Sequence, residues 1–188
     1  MERNNTQQHH LFKKTAIGAV ISALLIGFDQ LTKYWAIIGL KDKHAFVIWD
    51  GVFELRYLEN RGASFGILQN QKWPLVIFTL IVLVVLIYFF IKKIPNERRF
   101  FFLNIIIVLI CAGAAGNLID RLAKDYVVDF FYFCLIDFPI FNIADIYVVI
   151  ASFLLIVLGL FYYKDEDWEK IIPSGKKNCK TITFKILL

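Results

Sequence analysis

Cysteine is scarce in this 188-residue chain, limited to Cys111, Cys134 and Cys179. One lies inside an apolar run, one in the segment after it and one in the C-terminal tail. No pair implies a disulfide framework, and no C-x-x-C offers a thiolate metal site. H-E-x-x-H is missing, and the three histidines are His9, His10 near one end and His44 apart from them. G-x-S-x-G is missing too, leaving a Ser64 nucleophile with a lysine base as the remaining serine option. No metal site and no cofactor are therefore expected. Charge is absent from Trp73 to Ile91, nineteen residues.

What is abundant is apolar surface: 59% of residues are hydrophobic and mean hydropathy is +0.62. A bilayer core about 30 Å thick needs roughly 20 apolar residues in a helix. Four runs qualify, at about 15–40, 73–91, 100–122 and 141–163. The first carries Asp29 and Lys33 and has no small-x-small cleavage site, which argues against a removed signal peptide. The chain reads as an all-α membrane protein: one membrane domain, a four-transmembrane-helix bundle with a small outward-facing β element between helices 1 and 2. A soluble globular domain is excluded.

Net charge is +5, and its placement sets orientation. Lys13 and Lys14, the group Lys92, Lys93, Arg98 and Arg99, and a lysine-rich tail lie on one side, which positive-inside counting makes cytoplasmic. Both termini are then cytoplasmic, and segments 41–72 and 123–140 face outward. Charge that flanks spans fits membrane lipids and gives no reason to expect nucleic acid. Within 41–72, Asp50-Gly51 between β-rich runs signals a hairpin. Residues 123–140 read as an outer loop, residues 1–14 as polar and mobile, and residues 164–188 as a cytoplasmic tail. Pro74 suits a first helical turn.

Ionisable groups in hydrocarbon are expensive and usually functional. Asp29, Lys33, Asp120, Arg121, Asp129 and Asp145, with Asn117 and Asn142, converge on one layer near the outer ends of their helices. Asp29 and Lys33 are i, i+4, and Asn117, Asp120 and Arg121 share a face. Two close carboxylates can hold one proton between them and activate water against a carbonyl. Bland readings stand beside this. Asn142 with Asp145 has the pattern of a helix cap. Asp29 with Lys33 could be a structural pair. Arg121 could snorkel, and Asp129 could be an ordinary loop carboxylate. Gly113-Ala114-Ala115-Gly116 reads as a close helix-packing face. A small transporter or ion-conducting subunit is the alternative, but it requires polar groups spread through the membrane depth.

At these residues the chain resembles the lipoprotein signal peptidase family, bacterial signal peptidase II. The resemblance rests on Asp29-Gln30-Leu31-Thr32-Lys33, Asn60-Arg61-Gly62-Ala63-Ser64-Phe65-Gly66, Gly113 to Arg121, Val127-Val128-Asp129-Phe130 and Phe141-Asn142-Ile143-Ala144-Asp145, in that order. It implies an aspartic endopeptidase whose catalytic pair is Asp129 and Asp145, although spacing alone would favour Asp120 with Asp145. Asn60, Gly62, Asn117, Asp120, Arg121 and Asn142 match supporting or substrate-binding positions, and Asp29 with Lys33 a helix 1 motif near the site. The implied substrate is a diacylglyceryl prolipoprotein, cut before its lipidated cysteine in a bacterial cytoplasmic (inner) membrane, with the site near the outer face. A monomer is expected. Ile146 departs from the small or hydroxyl residues common after the second aspartate.

Overall fold

In hydrocarbon a backbone must satisfy its polar groups within its own segment, so each apolar run is helical. The computed structural model describes residues 2–62 and 68–172. Helix α1 spans Glu2–Leu40, α2 Lys72–Tyr88, α3 Phe101–Lys124 and α4 Ile143–Phe161. Among the described residues four helical stretches are long and apolar enough to cross a membrane: Gln8–Leu40, Lys72–Lys93, Arg98–Lys124 and Ile143–Phe161.

The boundaries depart from expectation in instructive places. Helix α1 begins at Glu2, so residues 2–14 are helical and not an irregular start. They contain no glycine or proline, and a helix nucleated in the apolar run propagates cheaply into them. Lys14 secures this end by donating to the carbonyls of Phe90, at 2.7 Å, and Ile94, at 3.1 Å. Phe90 lies in a π-helical turn, Phe89–Lys93, that continues α2, and Ile94 caps it. Pro74 falls in the first turn of α2, where no intrahelical N–H is needed. The segment expected as a plain tail folds back as a short helix, α5, Asp165–Ile171. Arg99 pairs with Asp167 at 2.7 Å and holds its carboxyl down at about 2. Residues 173–188, with Cys179, lie outside the described residues.

Among the described residues the β element has three strands: β1 Phe46–Trp49, β2 Phe53–Asn60 and β3 Val127–Tyr132. The order is β1-β2-β3, antiparallel throughout. The hairpin joining β1 and β2 turns at Asp50-Gly51, with Gly51 at φ 69° and the N–H of Val52 donating to the Trp49 carbonyl at 3.0 Å. The third strand comes from the segment read as a loop. Its β-branched and aromatic residues suit a half-buried pleat, and it is β2, paired Leu58 to Asp129 and Asn60 to Val127, that fixes it as a strand. All four β1 side chains, Phe46, Val47, Ile48 and Trp49, are exposed.

Helix α3 is the centre of the bundle, packing on α1, α2 and α4. Its small residues permit this. A Cβ on Gly116 would meet Asp29 Oδ2 at 2.5 Å, and one on Gly113 would strike the Ala144 carbonyl. Gly116→Ala is therefore expected to cost about 1–3 kcal/mol or more by overpacking. A lowered melting temperature in detergent, with α1 displaced from α3, would be its signature; an unchanged one would mean the helices have room to separate.

Candidate active site

Strand β3 and helix α4 each deliver one carboxylate to the same end of the bundle. Asp129, in β3, is 1% exposed. Its Oδ1 accepts from Asn142 Nδ2 at 2.6 Å and its Oδ2 from Asn60 Nδ2 at 2.9 Å. Asp145 lies in the first turn of α4, where Oδ1 accepts from Asn117 Nδ2 at 2.8 Å and Oδ2 from the Asn142 N–H at 3.1 Å. The Asn142 side chain in turn accepts from the Asp145 N–H at 3.0 Å, closing a capping box. The cap expected of Asn142 and Asp145 is present, and it fixes the rotamer of Asp145.

Asn142 and Asn117 join the two carboxylates. Asn142 Nδ2 also lies 3.1 Å from Asn117 Oδ1, so a continuous polar chain runs Asp129–Asn142–Asn117–Asp145. Burial pushes the Asp129 carboxyl up to about 7, and the nearby charge of Asp145 adds to the effect against the opposing amide hydrogen bonds. A raised carboxyl next to a second one is the arrangement that keeps a single proton on a pair.

Both aspartates line a cavity of about 670 Å³, together with Asn60, Asn117 and Arg121. Arg121 turns into this cavity instead of snorkelling outward, and its Nη2 donates to the Gly62 carbonyl at 3.2 Å. The N–H of Gly62 donates to Asn60 Oδ1 at 2.9 Å, so Asn60 braces Asp129 with one end and the start of the next loop with the other. Ser64 and the rest of 63–67 lie outside the described residues. Asn142 is buried behind the two aspartates.

Asp29, Lys33 and Asp120 do not line the cavity. They are fully buried between α1 and α3, where Lys33 pairs with Asp29 at 2.9 Å and Asp120 at 3.2 Å. Asp120, which spacing alone would pair with Asp145, is instead held by Lys33 and Lys124. What sequence reasoning missed is the cavity wall: Gln69, Leu58, the stretch Phe138-Pro139-Ile140 and, on α4, Ile146, Val149 and Ile150. The α4 members could have been found, since Val149 is one turn from Asp145. Leu58 comes from β2, and Gln69 and 138–140 from loops whose approach no periodicity announces. Among the described residues no group of three or more His, Cys, Asp or Glu could hold a metal ion.

A four-span bundle with paired carboxylates in a largely apolar cavity at one end places the chain among multi-pass membrane enzymes. Residues 21–161 match the family model of signal peptidase (SPase) II, and the chain belongs to that family of peptidases. It is 43% identical over 143 residues to a lipoprotein signal peptidase of Clostridioides difficile (strain 630), covering 76% of this chain and 94% of the relative. A lipoprotein signal peptidase of Streptococcus thermophilus (strain CNRZ 1066) is 41% identical, with 82% and 97% covered. A solved bacterial membrane enzyme structure obtained by the in meso method at 2.3 Å resolution superposes with a TM-score of 0.70 at 32% identity, covering 87% of this chain and 95% of that one. A second, at 1.9 Å resolution, gives 0.69 at 35% identity, covering 79% and 95%. Membership in a peptidase family favours the enzyme over a transporter or ion-conducting subunit.

Proposed function

We propose that the protein is an aspartic endopeptidase that removes the signal peptide from diacylglyceryl-modified prolipoproteins by cutting before the lipidated cysteine. The observation that carries this reading is the asparagine-bridged pair Asp129 and Asp145 in one cavity, with Asp129 buried and its carboxyl raised. The names of the relatives supply the substrate class. The cavity supports it, because polar groups at its floor and apolar residues along α4 suit a peptide bond held beside lipid chains.

The chemistry follows from the carboxylates. Asp145, already ordered by two N–H donors, takes a proton from a water placed between the pair. The hydroxide attacks the scissile carbonyl, and the proton on Asp129 stabilises the oxygen as it becomes an alkoxide. Collapse of the tetrahedral intermediate breaks the C–N bond, and the proton taken by Asp145 passes to the leaving amine. Arg121 holds the Gly62 carbonyl and so shapes the cavity mouth. The basic group Lys92, Lys93, Arg98 and Arg99 lies at the opposite end of the bundle from the pair. That supports both termini facing the cytoplasm of a bacterial inner membrane and a site at the outer face.

The test is a purified protein in detergent given a synthetic diacylglyceryl lipopeptide and its unlipidated twin. Mass spectrometry should find a product beginning at the lipidated cysteine, and much slower cutting of the twin. A folded protein that leaves the lipopeptide intact would end the reading. Arg121→Ala is expected to raise KM roughly tenfold, the loss of one charge-assisted contact, with kcat changed less. Equal KM in both proteins would reduce Arg121 to a packing role.

A further inference from the structure

Behind the two aspartates lies a buried charged set that the chemistry above does not use. Lys33 Nζ has no exposed surface and three partners: Asp29 Oδ2 at 2.9 Å, Asp120 Oδ2 at 3.2 Å and Asn117 Oδ1 at 2.9 Å. Each of the two carboxylates has a second task. Asp29 Oδ1 accepts from the N–H of Ala144 at 3.0 Å, and Asp120 Oδ2 accepts from the N–H of Val128 at 3.2 Å. Ala144 immediately precedes Asp145, and Val128 immediately precedes Asp129. One carboxylate thus grips the backbone just ahead of one reacting aspartate, the other just ahead of its partner, and Lys33 ties the two grips together from α1. Lys124 closes the set by pairing with Asp120 Oδ1 at 3.0 Å.

We propose that Lys33 is a positioning residue for the reaction: with Asp29 and Asp120 it sets the separation of Asp129 and Asp145, and through Asn117 it biases the proton they share. The proposal rests on the peptidase reading for its catalytic consequence. Two observations separate it from an ordinary stabilising ion pair. A buried ion pair is often replaceable by apolar residues without loss of stability, so fold maintenance alone gives no reason for a lysine here. Three hydrogen bonds leading out of the set also end beside the dyad: on the backbone amides of Ala144 and Val128 and on the Asn117 side chain. The third bond of Lys33 polarises Asn117, whose Nδ2 reaches Asp145 and whose Oδ1 meets the Asn142 amide that reaches Asp129. The charged groups around this centre are Asp29 on α1, Asp120, Arg121 and Lys124 on α3, Asp129 on β3 and Asp145 on α4.

Lys33→Met alone strands two buried carboxylates and can fail to fold. Asp29→Asn/Lys33→Met is the decisive variant. It removes a cation and an anion together, and the amide oxygen at position 29 still accepts the Ala144 N–H. The expected result is a folded protein whose kcat falls on the order of a hundredfold, the cost of misplacing reacting groups by about 1 Å, while KM stays within about threefold. A second readout does not depend on turnover: the infrared carboxyl band assigned to Asp129 by its loss in Asp129→Asn, followed against pH. Without the ammonium its midpoint should rise by about half a unit or more. A folded double variant with parental kcat and an unmoved midpoint would overturn the proposal. A parent that cuts nothing would sink the peptidase reading, and the carboxyl band would then decide on Lys33 alone.

Discussion

Asp129→Asn and Asp145→Asn should each lower kcat at least about a thousandfold, the scale of losing a positioned proton-transfer group, with the helices intact. In the proposed mechanism both aspartates act on the same water, so the double variant should be little worse than either single one. Asparagine keeps the size of the side chain and one of its two acceptors. At 129 it must turn an NH2 toward either Asn60 or Asn142, both of which donate to the aspartate. At 145 it must do so toward Asn117 or the Asn142 N–H. One mismatched hydrogen bond costs about 1–3 kcal/mol, too little to unfold four packed spans. Turnover of the lipopeptide and the thermal melt, measured on the same samples, separate the two effects. Near-parental turnover in either single variant would remove that residue from the chemistry.

Rising pH should switch the enzyme off from about 7 upward. Burial and the charge of Asp145 place the Asp129 carboxyl at about 7, and the mechanism needs that proton present. Above that value the active form declines roughly tenfold per pH unit, as a single lost proton requires. Stability follows the same sign. A carboxyl whose folded value lies above its unfolded value of about 4 stabilises the fold fully below 4 and loses that contribution as pH rises through 7. Melting temperature should fall between about pH 5 and 7 and level off above, while kcat/KM holds to about 7 and falls from there to pH 9. A rate that keeps climbing to pH 9 would mean the proton is not required.

The four spans were legible because hydropathy is a local property and a bilayer demands it in blocks of fixed length. The polar layer was legible from i, i+3 and i+4 spacing, which placed Asn117, Asp120 and Arg121 together on α3. Spacing could not divide them. Arg121 turns to the cavity and Asp120 to Lys33 because they sit about 100° apart around the helix, and only the positions of α1 and α4 decide which side is which. Strand β3 was hidden for a related reason. Its partner β2 lies some seventy residues earlier in the chain, and pairing at that distance leaves no periodic trace in a short Val-Val-Asp-Phe-Phe-Tyr run. Asp129 therefore looked like a loop carboxylate until β2 supplied Asn60 beside it. The start of α1 and the whole of α5 were missed because polar composition was taken as a lack of structure. In both places contacts to the turns between α2 and α3 hold a polar helix in place, Lys14 on the Phe90 carbonyl and Arg99 on Asp167.

The cavity wall contributed by α4 has a kinetic consequence. Val149 and Ile150 line the cavity and are also exposed on the side of a spanning helix, so the site adjoins the lipid sideways along α4. A substrate anchored in the same leaflet meets the enzyme by sliding within a plane. Its effective concentration is then a number per unit area of bilayer, not per volume of buffer. Adding inert lipid at constant total substrate should slow the reaction as the surface is diluted, and KM becomes a mole fraction.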